Sequence, residues 1–253
     1  MTQSNMHIMV KRECLNLHYR YWFMVAYYLC FRWIKVADST LKYLKSHPAT
    51  RPDITFVADF DAATKLSLNS GHLNCFAGGN IMLGGQLFDR DDLVKFGKEI
   101  TAGCRHTYAT TVTGIGPESF GWNASDVPEG QSQFFQKNGW YYNWAGYNLR
   151  PEVIESYYHG WKLTGEEKYQ EWAWEAFKAI NASCRTPIGY SNLNNVQEPL
   201  RGLGGSQESF WFAETLKYLW MIFGGSDDTA VGVGHEKQGW VFTTEAHPVR
   251  VRD

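Results

Sequence analysis

The feature that most constrains this chain is a succession of amphipathic helical segments separated by short polar breaks. From Pro151 the pattern runs through Glu152, Glu155, Tyr158 and Trp161 to Gly165. A second segment, Glu166 to Ala182, places Tyr169, Trp172, Ala176 and Ile180 on one side, and a third, Glu208 to Phe223, stops at Gly224-Gly225. Pro151 suits a first helical position, where its missing N–H leaves no bond unmade. Upstream, Trp33-Ile34, Leu41 and Tyr43-Leu44 repeat at the same spacing until His47-Pro48, and Asp91 to Thr110 carries Leu93, Phe96, Ile100 and Cys104 on one side. In the apolar stretch from His72 to Phe88, Gly78, Gly79, Gly84 and Gly85 would weaken an isolated helix. Close packing against another backbone must therefore hold it.

Strand signals are few. Asp53 to Phe60 reads as a short strand or extended loop, Trp240 to Thr244 as a strand, and Gly114 to Gly139 as loop. Strands and helices do not alternate as in a doubly wound sheet, so the expected class is all-α, built of helical hairpins. With 253 residues the chain can form one large domain or two small ones. Residues 1–31 read as a separate, unassigned segment and residues 32–253 as one domain. The apolar run from Trp22 to Phe31 follows Lys11, Arg12 and Arg20, but it is too short to span a bilayer, and no small-residue cleavage pattern follows it.

A net charge of -2, with no block of like charge, gives no reason to expect a nucleic acid partner. Aromatic residues make up 16% of the chain, with 11 Trp and 14 Tyr. Rings with polar edges suit carbohydrate faces, and they equally suit an aromatic helical core. The five cysteines, Cys14, Cys30, Cys75, Cys104 and Cys184, lack the close paired spacing of a zinc site. Asn123-Ala-Ser125 and Asn181-Ala-Ser183 are glycosylation sequons, which matter only in the secretory pathway.

Carboxylates set among apolar neighbours are the candidates for chemistry. Glu118 lies in Gly116-Pro117-Glu118-Ser119-Phe120. Glu152 and Glu155, three apart, share a helix face in a first turn, where the helix dipole favours an ionised carboxylate. Such a group could serve as a general base, or be an ordinary first-turn acid. Glu214 stands in the nearly wholly apolar Ser209-Phe210-Trp211-Phe212-Ala213-Glu214-Thr215, so it needs a cation, a hydrogen-bond network or a substrate. Thr243-Thr244-Glu245-Ala246-His247-Pro248 gathers two hydroxyls, an acid and a His near the end of the chain.

Five ordered blocks carry a family resemblance: ADSTLKYLKSHPATRPDITF, GHLNCFAGGNIMLGG, LRPEVIES, SFWFAETLKY and VFTTEAHP. Together they resemble the class I α-1,2-mannosidases of glycoside hydrolase family 47, the first block its secreted fungal branch. The resemblance implies an (αα)7 barrel, here incomplete, that hydrolyses terminal α-1,2-linked mannose of high-mannose N-glycans with inversion and with bound Ca²⁺. By motif, Glu152 corresponds to the proposed general base and Glu118 to a further catalytic acid. Arg150, Phe210 and His72 correspond to substrate-binding positions. Thr244 corresponds to the direct calcium ligand, and Glu155, Glu214 and Glu245 to carboxylates that hold its water shell. Cys75 and Cys104 match the fungal branch's disulfide pair, which implies an oxidising compartment: the endoplasmic reticulum or Golgi lumen, or the cell exterior.

The resemblance covers the C-terminal half of the family's domain. Two further acids of the N-terminal half find no counterpart, and the connector Gly204-Gly205-Ser206-Gln207 is short of an acidic residue. The expectation is thus a calcium-dependent mannosidase with little activity by itself. The alternatives are a relative that binds mannose glycans without cleaving them and an inactive structural fragment.

Overall fold

In a computed structural model of the chain, which describes residues 20–60, 65–224, 240–243 and 245–250, the helical periodicity becomes seven α-helices among the described residues. Helix α1, Arg20–Ser39, runs through residues 31 and 32 without a break and continues into a wide, π-type turn at Thr40–Leu44. A single 3-10 turn, His72–Cys75, leads into α2, Phe76–Leu87. Then come α3, Asp91–Ala109, and the short α4, Ser132–Asn138. The three segments after Pro151 become α5, Glu152–Thr164, α6, Lys168–Cys184, and α7, Lys217–Phe223, the last entered through π-type turns at Trp211–Leu216. Helix α2 packs on α3 and α5, and α5 packs in turn on α6 and α7. The result is part of an (αα)7 barrel.

The glycines of α2 explain its closest contact. A Cβ on Gly97 of α3 would lie 2.6 Å from the carbonyl oxygen of Gly78, and one on Gly78 would lie 2.3 Å from Oγ1 of Thr101. The two backbones meet where no side chain fits, as the sequence required. A disulfide between Cys75 and Cys104 joins the 3-10 turn directly before α2 to α3. At α5, Pro151 stands directly before the helix and its carbonyl accepts the Glu155 N–H at 2.8 Å. Gly165, with φ +68°, closes the other end, its N–H reaching the Trp161 carbonyl at 2.8 Å.

Among the described residues the β-strands form four short antiparallel pairs and one three-stranded sheet. The pairs are β1 (Lys45–Ser46) with β2 (Phe56–Val57), β3 (Asp59–Phe60) with β4 (Leu66–Ser67), β8 (Arg185–Thr186) with β9 (Gly189–Tyr190), and β10 (Trp240–Phe242) with β11 (Pro248–Arg250). One three-stranded sheet orders β5 (Asn69–Gly71), β6 (Ser119–Gly121) and β7 (Tyr141–Trp144) side by side. The segment 114–139, expected to be loop, therefore contains β6 and α4. Helix α4 has only seven residues, too few to display a period, and β6 is a strand because β5 and β7 flank it.

Two apolar clusters hold these parts. The larger lies between α2, α3, α5, α6 and α7 and includes Leu93, Phe96, Ile154, Tyr157, Ile180 and Trp211. The smaller, Phe56, Phe120, Trp122 and Trp140, backs the three-stranded sheet. Both indoles of that cluster find acceptors, Trp122 at Oγ of Ser46 (3.1 Å) and Trp140 at Oγ1 of Thr110 (3.1 Å). Much of the aromatic content is thus core rather than sugar platform. Among the described residues no helix is long and apolar enough to cross a membrane.

Candidate active site

The chain enters α5 through a strained turn. Leu149 is fully buried at φ +61°, a left-handed conformation that costs a non-glycine residue about 1–3 kcal/mol. Burial and a 2.8 Å hydrogen bond from Oγ1 of Thr215 to its carbonyl hold it there. The turn delivers Arg150 and Glu152 together at the start of α5.

Glu152 is buried, and its carboxylate has two basic neighbours. Nδ1 of His72 is 2.8 Å from Oε2, and Nη1 of Arg150 is 3.9 Å from Oε1. Burial pushes this carboxyl up, but the hydrogen bonds from His72 and from its own backbone N–H, with the charge of Arg150, outweigh burial, so the group sits below the ordinary range and stays ionised. His72, itself 2% exposed, uses its other nitrogen as well: Nε2 is 2.6 Å from the hydroxyl of Tyr108. Tyr108 was not among the residues singled out from the sequence. A tyrosine on the inner face of α3 looks like core, and its place one turn beyond Cys104 was the one available signal.

Glu118 joins the same group from the other side of Arg150. Its Oε2 accepts from Nε of Arg150 at 2.6 Å and its Oε1 from the Asn148 N–H at 2.8 Å, so both oxygens are engaged. The Arg150 guanidinium also lies 5.9 Å from the centre of the Phe210 ring. The structure thereby brings together five residues from four separate stretches of the sequence: His72, Glu118, Arg150 with Glu152, and Phe210.

A pocket of about 420 Å³ opens beside them. Arg150, Glu152, Glu155, Phe210, Glu214, Thr243 and Glu245 are among its walls, and the 3-10 turn and α2 contribute Leu73, Phe76, Asn80 and Leu83. Glu118 and His72 do not line it. Burial, then the charges of Glu152 and Glu214, push the Glu155 carboxyl up to about 8. Burial, Glu152 and Glu245 push Glu214 up to about 6, against the opposing charge of Lys217. Carboxylates so crowded are short of positive charge. Yet among the described residues no group of three or more His, Cys, Asp or Glu is placed to grip a metal ion directly. Thr244 lies outside the described residues, while Thr243 and Glu245 on either side of it reach the pocket wall. The next residue, Ala246, turns through φ +56° and its carbonyl accepts from Nζ of Lys217.

A profile described as glycosyl hydrolase family 47 matches residues 22–251. A mannosyl-oligosaccharide alpha-1,2-mannosidase of Coccidioides posadasii is 51% identical over 221 residues, which cover 87% of this chain and 42% of that protein. The mannosyl-oligosaccharide alpha-1,2-mannosidase 1B of Emericella nidulans is 48% identical over 221 residues, 87% of this chain and 44% of that protein. Among solved structures, the alpha-1,2-mannosidase from Trichoderma reesei superposes with a TM-score of 0.86 at 38% identity, covering 98% of this chain and 51% of that one. The chain thus spans less than half the length of the two curated relatives and about half of the solved one.

Proposed function

The chain belongs to glycosyl hydrolase family 47, and from that membership we propose that its pocket receives a terminal α-1,2-linked mannose of a high-mannose N-glycan for hydrolysis with inversion. Glu152 carries the reading. It is an ionised carboxylate in the wall of a cavity of about 420 Å³, aimed by His72 and Arg150 yet with lone pairs left to take a proton from water. Arg150 offers donors to sugar hydroxyls, and the Phe210 ring offers a flat apolar face to sugar C–H groups. Inversion needs an acid and a base roughly 6.5–9.5 Å apart with water between them. Glu155 shares a turn with Glu152 and cannot be the partner. Glu118 is the second carboxylate of the proposal, and to donate a proton it must first release Arg150.

Calcium belongs to the same reading. Ca²⁺ takes six to eight oxygen ligands, many of them water, and the donors here are oxygens, no three of which among the described carboxylates are placed to grip it directly. Thr244 would bind it directly, while Glu155, Glu214 and Glu245 would order its water. Bound there, Ca²⁺ would supply the positive charge that lets Glu155 and Glu214 ionise. The Cys75–Cys104 disulfide supports a lumenal or extracellular setting.

The engagement of both Glu118 oxygens favours a second reading, in which Arg150 and Phe210 hold the glycan and no bond is cleaved. Incubating the purified chain with a high-mannose oligosaccharide and Ca²⁺, with the released sugar followed by proton NMR, separates the two. Release of β-mannose, lowered 10²-fold or more in Glu152→Gln, is expected for hydrolysis. Binding without release identifies the second reading, and neither binding nor release overturns both.

A further inference from the structure

The environment of His72 carries an inference about Tyr108. Both ring nitrogens are within hydrogen-bonding distance of a single partner each, Nδ1 of Glu152 Oε2 at 2.8 Å and Nε2 of Tyr108 Oη at 2.6 Å. An ionised carboxylate only accepts, so Nδ1 must carry the proton. A neutral imidazole has one N–H, which leaves Nε2 as a lone pair needing a donor. The Tyr108 hydroxyl can rotate its hydrogen to meet it. The Tyr147 ring packs 5.7 Å from His72 and its hydroxyl also neighbours that of Tyr108; since it donates to the Arg150 carbonyl at 3.2 Å it can only compete as an acceptor for the Tyr108 hydrogen, against the 2.6 Å contact to Nε2.

The backbones bearing these three side chains are already pinned. Cys75, one turn past His72, is bonded to Cys104, one turn before Tyr108. Ser156, one turn past Glu152, donates from Oγ to the Cys75 carbonyl at 2.6 Å and accepts the Gly79 N–H at 2.9 Å. What remains free is the orientation of the imidazole. A half-turn about its ring bond would swap each nitrogen with a carbon and leave Glu152 facing C–H.

We propose that Tyr108 is a positioning residue for Glu152: its hydroxyl donates to Nε2 of His72, selecting the ring orientation and tautomer that present Nδ1–H to the carboxylate. The functional meaning rests on Glu152 acting as the base, whereas the hydrogen-bond chain does not. The test is nitrogen-15 NMR of the whole chain, labelled at histidine. For His72 it should show a protonated Nδ1 with a slowly exchanging downfield proton, and an Nε2 shifted as a hydrogen-bond acceptor. In Tyr108→Phe, which keeps the buried ring, that proton should exchange about five- to tenfold faster, as expected for losing one of the two bonds that fix the ring.

A protonated Nε2 or a doubly protonated ring in the unaltered chain overturns the proposal, as does unchanged exchange in the variant. If the variant does not fold, the spectrum of the unaltered chain still decides the tautomer. Failure of mannose release would count against the proposed function and leave this spectrum as it is, so the two failures are distinguishable.

Discussion

Glu166 shows how one charge is held between elements. It accepts from Lys168 at the start of α6 and from Lys98 of α3 at 2.6 Å, and these bonds draw its carboxyl down to about 2. A carboxyl depressed from an ordinary 4.5 contributes stability that is present above pH 4.5 and lost as the pH falls through about 2. Glu166→Gln should therefore lower the denaturation midpoint slightly at pH 7, by about 0–1 kcal/mol given the partial exposure, and converge on the unaltered chain as the pH falls through about 2. Glu166 itself was read only as the start of a helix, whereas the acids of the pocket region were legible in the sequence, though their partners were not. Glu118, Glu152 and Glu214 stood out because carboxylates among apolar neighbours are costly, a property of local sequence. That Glu118 holds Arg150, or that His72 reaches Tyr108 across 36 residues, depends on which elements meet, and spacing along one element says nothing about that.

The α2–α3 crossing repeats the same division among elements. Four glycines in one apolar stretch announced a backbone contact, and the contact exists, but its partner on α3, Gly97, could not be named from the pattern. A Cβ at Gly97 would sit 2.6 Å from the Gly78 carbonyl oxygen and 2.7 Å from the Met82 nitrogen, backbone atoms that cannot step aside. Gly97→Ala should force the helices apart and cost about 1–3 kcal/mol, read as a lower urea midpoint with unchanged slope. The boundaries of α5 were legible because Pro151 and Gly165 are physical start and stop signals. Helix α4 was hidden because two turns hold too few positions for a stripe, with only Phe135 and Asn138 buried. The π-type widening at Trp211–Leu216 left no mark in the sequence.

For the molecule as a whole, the acids of the pocket come from separate parts of the chain: Glu155 from α5, Glu214 from the turns before α7, and Glu245 from the link between β10 and β11. A cation among them would tie that late hairpin to the helices, adding to the Lys217 bond to the Ala246 carbonyl and the packing of Phe242 on Tyr158 and Tyr218. Thermal unfolding should accordingly shift upward with Ca²⁺ relative to chelator, by about 2.7 kcal/mol of stability at one hundred times the dissociation constant, and the shift should vanish in Thr244→Ala. A transition indifferent to calcium would remove the metal from the proposed function. The disulfide has a different whole-chain consequence, in the order of folding events. Cys75 lies three residues past His72 and Cys104 four residues before Tyr108. Along the backbone the two rings are 36 residues apart, but in the oxidised chain the covalent route between them shrinks to those seven residues and one bond. Closing so short a path costs about 1–2 kcal/mol less chain entropy than closing the long one. Once the thiols have joined, the meeting of His72 and Tyr108 is no longer a long-range search but a local event, available to the chain before the rest of the barrel has formed.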